Sequence, residues 1–391
     1  NHTRNTSQQQ SLEICRGRSL VGARTIYKEN IVVADFEHML VDCEILLLSL
    51  SITKNLAQMP YGRGDRHTHV NIKIHPSTYK DQPALTIESP QVVAQFLPHI
   101  GAKLCSLFYK PAGIELLIQR PGDSYKIAPY DGDYVEQGEC SGLDDMFPAI
   151  DRCYYDRYPW QGTPIPDHGE VWSIPWSATT EADQLHMATY GVRFPYRLEK
   201  WISFSGPAAL HMAYRLTNLS PYSFDFIWAA HPMFVLEGGA ELRLPEGVEK
   251  IVTAFSTSGR LGRYGDEHTW PLAVMADGTE RDLRHIGPKS TRDAEKYYVK
   301  GKLPAGWCEL TYPQSNLVLR LEFPEEKVPY LGVLPNEGGW QNLYNIFLEP
   351  ATGPLDRLDV ARLHGQHSTV AGGSIYEWHL TLKLSPELSR G

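Results

Sequence analysis

From about Val70 onward the chain is written in short runs of alternating apolar and polar residues, punctuated by Pro, Gly, Asn and Ser. Between Ala208 and Asn218, Leu210, Met212, Tyr214 and Leu216 fall on one side, and His211, Ala213, Arg215 and Thr217 on the other. A period of two is the mark of a strand. Phe224, Phe226, Trp228 and Ala230 alternate in the same way with Asp225, Ile227, Ala229 and His231. Leu317, Leu319, Leu321 and Phe323 form a third row, and Tyr376, Trp378, Leu380, Leu382 and Leu384 a fourth. Few windows carry a helical stripe, and 28 Pro with 32 Gly would interrupt long helices. The pattern predicts an all-β protein, a large antiparallel β-sandwich in which one sheet face packs the core and the other lines a groove.

Two segments depart from this pattern. Residues 1–67 have a polar start (Gln8, Gln9, Gln10), one apolar run and the segment Tyr61-Gly62-Arg63-Gly64-Asp65-Arg66, with no sustained period. They are expected to be an N-terminal extension whose order the pattern leaves open, ahead of a β-sandwich domain at residues 68–391. The stretch Gly259 to Lys302 is rich in charge and glycine and poor in alternation. It is expected to be a surface excursion that covers a ligand site.

Composition narrows the function classes. The 391 residues are 42% hydrophobic and 21% charged, enough apolar material for a large core. A net charge of -9 without a dense Lys/Arg block argues against nucleic acid or anionic lipid as a partner, and for a small ligand recognised locally. The six cysteines are scattered without a CxxC pair and are expected to be reduced, mostly buried thiols. Ile45 to Ile52 is too short to span a bilayer and follows Asp42 and Glu44, so a soluble, cytoplasmic protein is expected.

Three polar groups sit in apolar company. His168 belongs to the turn Pro166-Asp167-His168-Gly169-Glu170-Val171-Trp172, His231 ends the run Phe226 to Ala230 ahead of Pro232, and Glu349 follows Ile346-Phe347-Leu348. A carboxylate at the end of an apolar strand is costly unless paired or poised to titrate. Taken singly, each is more often structural than catalytic. Two imidazoles and a carboxylate also invite a metal, but the residues lack the close spacing of common metal sites, and neither metal nor cofactor is expected.

Taken in order, the surrounding stretches resemble the aldose 1-epimerase (galactose mutarotase) family, particularly its LacX-like branch. Met146-Phe147-Pro148-Ala149-Ile150-Asp151-Arg152, then Gly162, then Asp167-His168-Gly169 is similar to that branch's Phe-Pro-x-x-x-Arg, Gly and His-Gly series. Arg193-Phe194-Pro195-Tyr196 resembles the lead to its second motif, and Ala229-Ala230-His231-Pro232-Met233-Phe234 its Gly-x-His-Pro-x-Phe motif. Leu348-Glu349-Pro350 with Thr352-Gly353 resembles the segment around its catalytic glutamate. The likeness runs from about Val70 to Leu384.

The resemblance implies a galactose mutarotase-like supersandwich and cofactor-free interconversion of sugar anomers. It implies Glu349 as general base, His231 as general acid, His168 as a second histidine at the ring oxygen and Arg152 as a sugar-contacting arginine. Asp266 is the position offered for the family's substrate-selecting aspartate. Where the family often has His-Gly-Phe-Ala-Arg or His-Gly-Gly, this chain has His168-Gly169-Glu170-Val171-Trp172. The chemistry fits the residue types, because opening a pyranose removes the anomeric proton while delivering one to the ring oxygen. Trp172 and Trp228 are candidates to stack on the sugar, with a core role as the plainer alternative. Rival readings are a non-catalytic sugar-binding protein, an epimerase of a phosphorylated sugar using Arg152, Arg157 and Arg120, and a metal-dependent enzyme.

Overall fold

The computed structural model describes residues 70–387. The expected extension at residues 1–67, with Cys15, Cys43 and the apolar run Ile45 to Ile52, lies outside the described residues. Within them, the alternating runs become strands of two large antiparallel sheets. The main sheet has thirteen strands. Its central ladder runs from Lys103–Tyr109 through Leu143–Met146, Ala229–Pro232, Tyr344–Ala351, Tyr330–Glu337 and Glu295–Val299 to Lys250–Ser256. The second sheet has eight strands, centred on Leu317–Glu322, Ile375–Pro386, Ala209–Asn218 and Tyr196–Gly206. Helix is confined to short pieces such as Tyr134–Gln137 and Leu358–Leu363. No helix among the described residues is long and apolar enough to cross a membrane.

The period of two explains how the second sheet meets the first. Leu210, Met212, Tyr214 and Leu216 are buried, and so are Leu317, Leu319, Leu321, Trp378, Leu380, Leu382 and Leu384. They pack between the sheets, where Trp228 from the main sheet lies against Tyr214 and Trp378, with ring centroids 5.0 and 5.1 Å away. Cys105, Cys140, Cys153 and Cys308 are buried free thiols, as expected for them.

Two expectations need correction. Phe224 to His231 is not one strand alternating between core and solvent. It divides into Phe224–Phe226, paired with Ser368–Val370, and Ala229–Pro232 in the main sheet, and every residue from 224 to 234 is buried. The alternation is real, but both faces are covered: Trp228 and Ala230 face the sandwich core, and Ala229 and Met233 join a second apolar cluster with Tyr134, Trp172 and Phe347. Nor is Gly259 to Lys302 wholly a surface excursion, because Glu295–Val299 is an interior strand of the main sheet. The charges of that run, which obscured its strand character, are largely paired inside the structure.

One buried ion pair ties the sheets together. The Lys200 ammonium lies 2.9 Å from Asp145 Oδ2 and donates to the Ala102 carbonyl at 2.6 Å, while Trp228 Nε1 donates to Asp145 Oδ1 at 3.0 Å. Both charged side chains are at most 1% exposed. Removing one partner leaves an uncompensated buried charge, which is strongly destabilising even where the intact pair contributes little. Lys200→Met is therefore expected to lower unfolding stability in urea by about 3–5 kcal/mol, and Lys200→Met with Asp145→Leu to recover part of that loss.

Candidate active site

Strand register assembles the site. Asp144 faces His231 across the ladder. The pairs Ala229 with Ala351 and Phe234 with Ile346 bracket His231 and Glu349 in one register, so these two face each other. Glu349 in turn faces Gly332, and Gly332 faces Tyr298. Directly opposed residues in an antiparallel ladder project to the same face. Asp144, His231, Glu349, Gly332 and Tyr298 thus form one row across neighbouring strands, on the face turned away from the second sheet. Lys103 extends the row at one end, its ammonium 3.0 Å from Asp144 Oδ2. Lys296, two residues before Tyr298, shares its face. Glycine at 332 keeps this row uncrowded, since a Cβ there would stand 3.1 Å from the Tyr298 ring and 3.3 Å from Glu349 Oε2, closer than ordinary van der Waals contact.

Glu349 is fully buried. Its Oε2 lies 2.7 Å from the Lys296 ammonium, in an ion pair not aligned as a hydrogen bond, and its Oε1 has no hydrogen-bond partner within the protein. Oε1 points towards His231, with 3.8 Å to Nε2. Burial pushes the Glu349 carboxyl up; Lys296 opposes that shift and the Asp356 charge adds to it. Burial also disfavours the Lys296 ammonium, but Asp356 and Glu349 outweigh it and hold its pKa above the ordinary lysine value. Asp356 accepts from Lys296 at 2.7 Å and from the Tyr298 hydroxyl at 2.6 Å. It reaches this position because Leu355 and Asp356 take left-handed backbone conformations, φ 66° and 64°. The Asp356 carbonyl then accepts from the Ile150 and Asp151 amides, both at 2.9 Å.

The histidines are set by a separate group of contacts. The left-handed turn at His168 and Gly169 (φ 57° and 76°) brings Gly169 so close to Phe147 that a Cβ would meet its carbonyl oxygen at 2.1 Å. His168 Nδ1 bonds Asp167 Oδ1 at 3.0 Å, and the other Asp167 oxygen accepts the Tyr134 amide at 2.7 Å. The Tyr134 ring stacks on His168, with centroids 4.2 Å apart, and meets His231 edge-on at 5.3 Å. Its hydroxyl donates to Asp144 at 2.8 Å. His231 is buried against Phe347, and its Nδ1 has no hydrogen-bond partner within the protein. Burial drives the His231 pKa well below the ordinary histidine value, and the charges of His168, Lys296 and Lys103 reinforce the shift. The surroundings of His231 therefore favour the neutral ring. The two histidines and Glu349 do not converge as ligands: among the described residues no group of three or more His, Cys, Asp or Glu is arranged to hold a metal ion.

His168 and His231 open on a pocket of about 380 Å³ that also exposes Lys296, Asp356, Tyr134, Phe347 and Trp340. Of the other residues singled out from sequence, none lines it. Arg152 is half-exposed and turned to Asp131 at 3.2 Å, whereas its neighbour Asp151 faces the pocket. Trp172 supports the pocket from behind, edge-on to Tyr134 with its Nε1 bonded to the Asp167 carbonyl. Trp228 is on the opposite face of the sheet, in the sandwich core. Asp266 lies in an exposed turn and accepts the Arg263 amide at 2.7 Å. Sequence reasoning missed Tyr134, Lys296, Trp340 and Asp356. The usable signals were the charges of Asp293-Ala294-Glu295-Lys296 running into the aromatic strand ending Tyr297-Tyr298-Val299, and the Trp after Gly338-Gly339.

No protein-family model matches the chain, and no curated protein matches it in sequence. Solved structures do. The Slr1438 protein of Synechocystis sp. PCC 6803 is 16% identical with a TM-score of 0.56, covering 83% of this chain and 100% of its own. A galactose mutarotase-like protein of Clostridium acetobutylicum is 12% identical with a TM-score of 0.56, covering 81% and 99%. A galactose mutarotase related enzyme of Lactobacillus acidophilus is 11% identical with a TM-score of 0.55, covering 81% and 99%. At these identities the likeness establishes the fold, a galactose mutarotase-like β-sandwich.

The electrostatics make a direct prediction. Ring-carbon NMR of the full chain should show His231 neutral at pH 6.5, acquiring its proton only as the pH falls further, because burial in a positive surrounding lowers its folded pKa. A midpoint at or above 6.5 would contradict this account of the pocket.

Proposed function

We propose that the chain is an aldose 1-epimerase, a mutarotase that interconverts the α and β anomers of an unphosphorylated hexose or related sugar. The observation that carries this reading is the convergence of Glu349, His231 and His168: both histidines line the pocket, and the buried Glu349 carboxylate lies against two of its lining residues, His231 and Lys296. Residues 168, 231 and 349 are far apart in the chain, yet a carboxylate oxygen without a protein partner stands 3.8 Å from one imidazole, whose ring centroid is 5.2 Å from the other. The fold shared with galactose mutarotase-like proteins agrees with it.

In this mechanism the pair reacts in its singly protonated form with the proton on the His231 ring. Glu349 Oε1, ionised, takes the proton of the anomeric hydroxyl, and the His231 imidazolium gives one to the ring oxygen as the C1–O5 bond breaks, leaving a carboxyl and a neutral imidazole. Rotation about C1–C2 and the reverse transfers close the other anomer. His168, oriented by Asp167, supports the ring oxygen. Burial raises the carboxyl and lowers the imidazole, which makes Glu349 a stronger base and the His231 imidazolium a stronger acid than either would be in water. A neutral imidazole with a protonated carboxyl holds the same single proton as an imidazolium with a carboxylate, so the titration belongs to the pair. Trp340, partly exposed at the pocket, offers the aromatic face for which Trp172 and Trp228 were the sequence candidates.

The charges favour a neutral sugar. Lys296 is the pocket's lysine and is already shared by two carboxylates, while Asp151 and Asp356 add negative charge. The arginines considered for a phosphate are engaged elsewhere: Arg152 with Asp131, Arg157 with Asp225, and Arg120 with the Glu139 and Cys140 carbonyls.

Polarimetry or NMR exchange on free and phosphorylated aldoses tests the reading. The chain should accelerate anomer exchange of a free aldose and not of its phosphate, and Glu349→Gln should reduce the rate on the order of 10² to 10⁴ while retaining sugar affinity. Sugar binding with no acceleration would make the chain a carbohydrate-binding protein instead. The kcat/KM profile should be bell-shaped, rising as the doubly protonated pair loses its first proton and falling as it loses its last.

A further inference from the structure

The side chain that the proposed reaction does not itself use, yet which is closest to its base, is Lys296. It is a buried ammonium on the interior strand Glu295–Val299, held between Asp356 Oδ1 and Glu349 Oε2, each at 2.7 Å. A buried ammonium beside a buried carboxylate is often mere charge compensation. Three features give it a directed role. Gly332, between the two strands, has no side chain, which lets Lys296 and Tyr298 reach Glu349 across the row. Asp356 is kept in place by a left-handed backbone, a backbone bond to the Ile150 and Asp151 amides and the Tyr298 hydroxyl, so Lys296 is anchored from the side away from Glu349. The pairing is also one-sided: Lys296 occupies Oε2 and leaves Oε1 facing His231.

We propose that Lys296, anchored by Asp356, is a positioning residue that pins Glu349 by Oε2 and so presents Oε1 as the atom that exchanges protons with the sugar. This rests on the reading of Glu349 as the base. The two charges next to Glu349 on this side then act in opposite senses: Lys296 favours its ionised form and Asp356 its protonated form. The other titratable groups facing the carboxylate are His231 and His168 from the histidine side and Tyr298 from the Lys296 strand, with Asp144 and Lys103 beyond His231. None of these changes in the variants below.

The test follows the Glu349 carboxyl directly by ¹³C NMR of full-length chain labelled at the glutamate δ-carbon, its signal assigned by its loss in Glu349→Gln. Lys296→Met should move the Glu349 midpoint to higher pH. The acidic limb of kcat/KM should move with it, and kcat at neutral pH should fall roughly 10- to 100-fold, as for leaving a buried charged group without its partner, while sugar affinity stays near that of the unsubstituted chain. Asp356→Asn should move the midpoint the other way, to lower pH. Charge compensation alone would shift the midpoints in these opposite directions but leave the pH-independent maximum of kcat unchanged, so an unchanged maximum in Lys296→Met, an unmoved midpoint, or shifts of the same sign in both variants overturns the proposal. Should Lys296→Met not fold, Asp356→Asn decides alone: a lowered midpoint supports the role, and an unchanged or raised one overturns it. If the unsubstituted chain does not accelerate anomer exchange, the proposed function fails, and the carboxyl titration still decides what Lys296 does to Glu349.

Discussion

A fully buried carboxylate in the middle of a sheet is unfavourable, and at Glu349 the chief compensation is the Lys296 ammonium 2.7 Å away. That ammonium is itself buried and is held by Asp356. Each member of the chain makes the next tolerable, and the last is supported by backbone amides and a tyrosine hydroxyl at the pocket wall. The compensation is incomplete at Glu349 Oε1, which has no protein partner and is directed towards His231. Polar atoms left unpaired in an apolar interior are costly, and they concentrate where a ligand completes them.

The sheet makes this arrangement possible because both of its faces are covered. One face packs against the second sheet through Trp228, Ala230 and the Lys200–Asp145 pair; the other carries the polar row from Lys103 to Tyr298. Cross-strand neighbours on one face come close enough to interact, so a row of registered positions becomes a row of chemical partners. On the outer face Tyr134 holds His168 by stacking and His231 by an edge contact, and is itself braced edge-on by Trp172. The rigidity of the histidines thus comes from aromatic packing, and that of the carboxylate from ion pairing.

These two kinds of support have different electrical consequences. Lys103 and Lys296 flank the row and, together with burial, keep His231 short of a proton. The carboxylates that flank Lys296 keep it charged. The pocket therefore presents a neutral imidazole and an engaged lysine against an aromatic wall, with the Glu349 carboxyl, raised by burial, beside both.

Alternation in Ala209–Asn218, Leu317–Glu322 and Ile375–Pro386 was enough to determine strands and their buried faces, because a period of two is a local property of the extended chain. Glu349, His231 and His168 were legible for a similar reason: each is a polar group set in an apolar or turn sequence that local cost makes conspicuous. Arg152 and Asp266 came from the family resemblance and Trp172 and Trp228 from their aromatic faces, and only the tertiary structure shows Arg152 turned to Asp131, Trp172 placed behind Tyr134, Trp228 sunk in the sandwich core and Asp266 exposed in a turn. Lys296 was not chosen, since its charged run points to no partner until Glu349 and Asp356 are brought to it from more than fifty residues away. Local sequence determines which residues are costly to bury. Register between strands distant in the chain decides which opposite charge meets each of them, and so which residue is a partner and which is only a neighbour.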